Sequence, residues 1–223
     1  MILLLLSTIS ATSDTYHTYC ALRHGQSLAN VAGVISSDPR VACIEHGLSD
    51  AGRAQADAAA ADVVAAAIEE GVAGVAIVAS DLRRAWQTAS IVRAHVLAAG
   101  VRVWPAAGKP FEERALRERS FGELSGQSDE RYHEVWVHDA ESATHTEFGS
   151  ESLNSVRERA WGVVERMEAC AELRPGRWMV VLVAHGDVLQ IVQTAFARVD
   201  VRTHRSLDHL ETATLRRLTL VES

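Results

Sequence analysis

Three apolar runs, each cut off by a polar residue, limit the architectures open to this 223-residue chain. They are "YHTYCALR" at 16–23, "VAGVAIVAS" at 72–80 and "RWMVVLVAH" at 177–185. The last two are nearly continuous in β-branched and small apolar residues, as expected of strands covered on both faces. Helix-forming sequence follows them. Ser49 can cap a helix through "DAGRAQADAAAADVVAAAIEE", where alanine favours the helix and Gly71 suits its stop. "DLRRAWQTASIVRAHVLAAG" reads as the next helix and "VRVWP" as a short strand closed by Pro105. Ala106–Ser128 reads as irregular, and Glu151–Leu173 as a long helix ending before Pro175. "GDVLQIVQTAFARV" is the helix behind the third run, and "ATLRRLTLV" is a last strand. This alternation predicts an α/β fold, a three-layer αβα sandwich with a mainly parallel central sheet. Residues 1–15 read as an extension and 16–223 as one domain.

Composition narrows the partners. The formal charge is -7 and no basic run occurs, which argues against nucleic acid. No segment is apolar and long enough to span a bilayer. "MILLLLSTISATS" lacks a basic start, and its apolar run is short for a signal peptide. Cys20, Cys43 and Cys170 are widely spaced with no CxxC pair, so a metal or disulfide framework is not expected and a reduced, cytoplasmic setting fits. Lys109 is the sole lysine, so the cationic chemistry is that of arginine, whose planar fork grips phosphate on two oxygens. A homodimer is compatible with the sequence.

In open α/β sheets, ligands bind beyond the carboxyl ends of the strands. Three polar clusters are expected there: Arg23-His24-Gly25, Ser80 to Arg83, and His185-Gly186. A neutral imidazole at His24 can attack phosphorus. Arg23 beside it supplies fixed charge. Arg83, one turn into the second helix, can point back over the sheet edge, with Arg84 as a solvated neighbour. His185 can donate to a phosphoryl oxygen. The reading requires folding to gather His24, Arg83 and His185 in one place. Phosphoryl transfer is mostly positioning and charge neutralisation, and this set requires no metal or other cofactor. A proton donor for the leaving group is also needed. Glu112, Glu113, Glu118, Glu123 and Asp187 are all candidates, and position alone does not choose among them.

The chain resembles the histidine phosphatase superfamily, which includes cofactor-dependent phosphoglycerate mutases and histidine acid phosphatases, and within it the mutase-like branch. The resemblance rests on "LRHGQSLAN" at 22–30, "LSDAGRAQA" at 48–56, "SDLRRAWQTA" at 80–89, "LRERSFGELSG" at 116–126, "GSESL" at 149–153 and "AHGDVLQ" at 184–190. It implies that fold, with His24 phosphorylated in turnover, and Arg23, Arg83 and His185 around the phosphoryl group. It further implies Glu118 as the proton donor, Asn30 holding the phosphate or the nearby loop, and Gly25 and Gly186 permitting close backbone approach.

The mutases carry a longer insertion after the fourth block, which closes over a bisphosphate and keeps water out. Here Ser128–Gly149 is short, and Arg131 is its only arginine or lysine. A site open to water is therefore expected, and with it a metal-independent phosphatase acting on a small phosphorylated substrate. The alternatives are a cofactor-dependent mutase, or a weakly active module that binds a phosphorylated ligand.

Overall fold

The computed structural model describes residues 15–221, so nearly all of the extension expected at 1–15 lies outside the described residues. The elements in chain order are β1 (Thr18–Arg23), α1 (Leu28–Ala32), α2 (Pro39–Ala42), α3 (Asp50–Glu69), β2 (Val75–Ala79), α4 (Arg83–Ala98), β3 (Val103–Trp104), β4 (Phe111–Glu112), α5 (Tyr132–Asp139), α6 (Leu153–Ala169), β5 (Met179–Ala184), α7 (Gly186–Phe196) and β6 (Leu215–Leu218). The expected architecture is present. One sheet runs β3-β2-β5-β1-β6, with β4 also pairing β2. All its pairings are parallel except that of β1 with β6.

Strand periodicity explains the three layers. In β1, Tyr19 and Ala21 enter the core beneath α6 and α7, while Cys20 and Leu22 enter the core beneath α3 and α4. In β5, Val180, Leu182 and Ala184 face the first core, and Met179, Val181 and Val183 face the second. A strand sandwiched in this way has no polar face, which is why these runs read as continuous apolar sequence. α3 contributes Ala59, Ala60, Val63 and Ala67 to the second core. Small side chains there let helix and sheet approach closely.

The order β2-β5-β1 has a functional consequence. β5 runs parallel between β2 and β1, so all three polar clusters come to adjacent strand ends. The ladder continues one residue beyond β1, where His24 N–H donates to the Ala184 carbonyl at 3.0 Å. That bond sets the His24 backbone beside His185.

Two regions differ from expectation. The stretch read as irregular contains β4, and Ser128–Gly149 contains the helix α5. Phe121, Leu124, Val135 and Ile35 form a third, smaller core beneath this segment, joined by Tyr132 and Phe148. The long helix expected over Glu151–Leu173 is α6 followed by a separate 3-10 turn at Ala171–Leu173.

The loop after β1 is seated against α3 by two facing glycines. A Cβ on Gly25 would lie 2.3 Å from the Gly52 carbonyl oxygen, and one on Gly52 would lie 1.9 Å from that of Gln26. Neither neighbour is a flexible side-chain tip. A Gly52→Ala substitution is therefore expected to cost about 2 kcal/mol by overpacking, lowering Tm by roughly 4–8 °C in a thermal melt.

Candidate active site

His24 is buried at 3% exposure. Its Nδ1 lies 2.7 Å from the Gly25 carbonyl oxygen. A carbonyl can only accept, so Nδ1 carries the hydrogen and Nε2 of the neutral ring keeps its lone pair. The Arg84 Nε–H donates to that Nε2 at 3.0 Å. The other guanidinium nitrogens of Arg84 donate to Ser36, NH1 to Oγ at 3.2 Å and NH2 to the carbonyl at 2.9 Å. Burial and the charges of Arg84 and Arg23 hold the His24 pKa well below the usual histidine range. The ring is therefore neutral at physiological pH, the form a nucleophile requires.

The histidine and arginine around it are also placed for anion binding. The His185 ring centroid is 5.1 Å from that of His24. His185 Nε2 lies 2.9 Å from Ser80 Oγ, an oxygen that already accepts the Leu82 N–H. With Nε2 engaged on the Ser80 hydroxyl, Nδ1 is the ring nitrogen left over. That Nδ1 is buried without a partner, and so is Nε of Arg23, whose NH1 is anchored on the Leu210 carbonyl at 2.9 Å. Unsatisfied buried polar atoms are costly and rare, and two beside one imidazole mark a place for a polar ligand.

Glu118 is half-buried and lines the same small cavity, of about 110 Å³, as His24, Arg23, Arg84 and Asn30. Its Oε1 accepts from the Arg119 N–H at 3.0 Å and, at a longer 3.4 Å, from the Val188 N–H in the first turn of α7. Oε2 remains for a proton. Burial, then the neighbouring Asp187 carboxylate, push the Glu118 pKa up. None of the other four candidate acids lines this cavity. Glu113 pairs with Arg166, and Asp187 receives the Trp136 indole N–H at 3.2 Å. Glu112 lies in β4, and Glu123 lines a second cavity beyond Glu118.

Arg83 requires correction. It is exposed, and its guanidinium donates to the Ile44 carbonyl rather than facing His24. Arg84, expected to be the solvated neighbour, is the buried one. Successive helical residues point about 100° apart, so only one of the pair can face the sheet end. A signal was present: Arg84 shares a helical row with the buried Thr88, Val92 and Val96 of α4. Ser36 and Tyr132 also went unanticipated, since neither lies in a strand-end cluster.

The glycines and Asn30 act locally. The Gly25 N–H donates to Thr88 Oγ1 at 3.1 Å, so it is not offered to an anion, and the close approach at Gly25 is to Gly52. Gly186 opens α7, with Arg23 in ordinary contact range of the space a Cβ would fill. Asn30 Oδ1 accepts from both Ser27 N and Ser27 Oγ, closing a capping box that fixes the loop at the cavity wall.

The segment expected to leave the site open lies beside it. A bridge between Val34 and Ser128 brings the following segment over the site, and Asp129 and Tyr132 line the His24 cavity. Tyr132 is held by stacking on Trp136, with centroids 5.2 Å apart, and by edge contact with Phe121.

Comparison with known proteins bears on the fold and the family. A solved structure titled mycobacterial hydrolase 1 is 28% identical, with 89% of this chain and 87% of that one covered and a TM-score of 0.68. Mycobacterial glucosyl-3-phosphoglycerate phosphatase in complex with VO3 is 28% identical, with coverage of 89% and 90% and a TM-score of 0.67. A mutant phosphoserine phosphatase from Entamoeba histolytica with phosphoserine, at 17% identity, 89% and 88% coverage and a TM-score of 0.63, shares the fold. No curated protein sequence matches. The sequence profile of the histidine phosphatase superfamily (branch 1) matches residues 19–223, and the chain belongs to that family.

Proposed function

We propose that this histidine phosphatase hydrolyses a small phosphomonoester in two steps through a phosphohistidine at Nε2 of His24. The observation that carries the reading is the fixed His24 tautomer, with a lone-pair nitrogen in the same cavity as Glu118, Arg23 and Arg84. A phosphoryl group bound against His24 takes the idle hydrogen bond of Arg23 Nε and, in this reading, one from a hydrogen on His185 Nδ1. The Arg84 guanidinium then trades the Nε2 lone pair for a phosphoryl oxygen and frees the nucleophile. Nε2 attacks in line, the P–O ester bond breaks as the N–P bond forms, and Glu118 Oε2 gives its proton to the leaving oxygen. In the second step the Glu118 carboxylate takes a proton from water as that water attacks phosphorus. The N–P bond breaks, phosphate departs, and Nε2 regains its lone pair.

Hydrolysis is favoured over mutase transfer by the state of Arg131. Its guanidinium is spent on Glu134, through Nε at 2.6 Å and NH2 at 2.8 Å, and is not free for a second phosphate. The phosphatase names of the mycobacterial relatives add support. Among the described residues no helix is long and apolar enough to cross a membrane. A cytoplasmic setting is part of this reading; it rests on the free thiols of Cys20, Cys43 and Cys170, and cell fractionation tests it.

The decisive experiment is a rapid quench with a ³²P-labelled ester in the presence of EDTA. The expected result is a protein-bound label that survives alkali, is lost in acid and maps to the peptide containing His24, with turnover undiminished by the chelator. Turnover without any such label rejects the phosphohistidine.

A further inference from the structure

Glu118 lines two cavities. One is the 110 Å³ space around His24, and the other holds about 610 Å³. The second has the size of a ligand pocket. A group that protonates the leaving oxygen must touch it, so the rest of the leaving group extends past Glu118 into this space. The larger cavity therefore reports on what is attached to the phosphate.

Its wall has a definite chemistry. Pro39 is the only lining residue with an apolar side chain, and four arginines are matched by four carboxyl groups. Three of the arginines are already committed. Arg40 grips Asp38, Arg117 grips Asp81, and Arg159 holds both oxygens of Glu151, at 2.8 and 2.9 Å. Arg114 differs. Its side chain is 76% exposed, 3.7 Å from Asp81, and makes no hydrogen bond to the described residues. The wall therefore has one arginine fork to spare.

Hydroxyl recognition is built in beside it. Ser37 Oγ accepts the Phe121 N–H at 3.1 Å, and Ser125 Oγ accepts the Asp38 N–H at 3.0 Å. Neither hydroxyl donates to an acceptor among the described residues, so each has a hydrogen to turn into the cavity. The Glu123 carboxylate, on the same wall and without a side-chain partner among them, is an acceptor. Donors and acceptors side by side match groups that both give and take hydrogen bonds. An apolar leaving group would strand them all, and a second phosphate would meet a wall with a single free fork.

We infer that the cavity lined by Ser37, Ser125, Glu123 and Arg114 is the leaving-group subsite, and that it takes a polyhydroxylated, sugar-like group bearing at most one carboxylate. This rests on the reading that Glu118 protonates the leaving oxygen.

The test is kcat/KM for four esters: 6-phosphogluconate, propyl phosphate, fructose 1,6-bisphosphate and p-nitrophenyl phosphate. Wild type is expected to favour 6-phosphogluconate over propyl phosphate by at least about 100-fold, since a site built to bond hydroxyls rejects the analogue lacking them. The bisphosphate is expected to lag behind 6-phosphogluconate. In the double variant Arg114→Ala, Glu123→Gln, the ratio of 6-phosphogluconate to propyl phosphate is expected to fall about tenfold, through KM, as ground-state bonds are lost. A wild-type ratio near one, a preferred bisphosphate, or a ratio unmoved in the variant overturns the inference while turnover of p-nitrophenyl phosphate leaves the phosphatase reading standing. Failure to turn over any of the four, with no label on His24, overturns both.

Discussion

A His24→Ala variant is expected to lose about four powers of ten in kcat/KM and Arg84→Ala about three, while Arg83→Ala stays within about threefold of wild type. The first loss is that of the proposed nucleophile. The second has two sources. Arg84 is the buried cation that touches Nε2 of His24, and its charge is second only to burial in keeping that imidazole neutral. It is also the group available to follow negative charge onto the phosphoryl oxygens in the transition state. Arg83 sits one residue earlier with its guanidinium on the Ile44 carbonyl, on the outer side of α4. Adjacent arginines of the same charge then differ by orders of magnitude because a helix gives them different directions. Steady-state kinetics on the three variants, with circular dichroism to show that each is folded, checks the ranking. Equal losses at the two arginines would contradict the geometry. A thermal melt of Arg84→Ala separates a folding defect from a catalytic one, since Arg84 also ties Ser36 to the site.

That contrast marks the boundary of what the sequence discloses. β1, β2 and β5 were legible because strands buried on both faces must be apolar at every position, and the polar residue that ends each run stands out. Their adjacency was not legible. The placement of β5 between β2 and β1 depends on pairings across long stretches of chain, which no local pattern encodes. β4 escaped notice because two residues, Phe111 and Glu112, carry no periodicity. α5 escaped because its eight residues, "YHEVWVHD", place aromatic, charged and apolar side chains on nearly every face. Its role in covering His24 followed from tertiary packing alone, through Tyr132, Trp136 and Phe121. Among the five candidate acids, residue chemistry did not choose and family resemblance named Glu118. The fold supplies a physical reason, since Glu118 is the candidate that borders the His24 cavity.

The pH dependence should show the same environment from the other side. In the proposed mechanism the active form has His24 neutral and Glu118 protonated. Burial and two arginines lower the His24 pKa, so the acid limb of kcat/KM is expected below the usual histidine range. Burial and the Asp187 carboxylate raise that of Glu118, so the alkaline limb is expected above the usual carboxyl range. The limbs report apparent values for the pair. Asp187 lies behind Glu118, held by the Trp136 indole and by Arg119 at 3.5 Å. Its replacement in Asp187→Asn removes a negative charge next to a group that ionises to a negative charge. Ionisation becomes easier, the Glu118 pKa falls, and the alkaline limb moves to lower pH while the acid limb holds. Glu118→Gln has the larger effect and splits by leaving group. An alkyl ester, whose alkoxide needs a proton, is expected to lose about a thousandfold in kcat/KM. p-Nitrophenyl phosphate, whose phenolate leaves unassisted, is expected to lose at most about tenfold in the same quantity, with a burst of nitrophenolate ahead of slow dephosphorylation. Equal losses for both esters would mean that Glu118 holds the site together without delivering a proton. An alkaline limb unmoved in Asp187→Asn would mean that another group governs it.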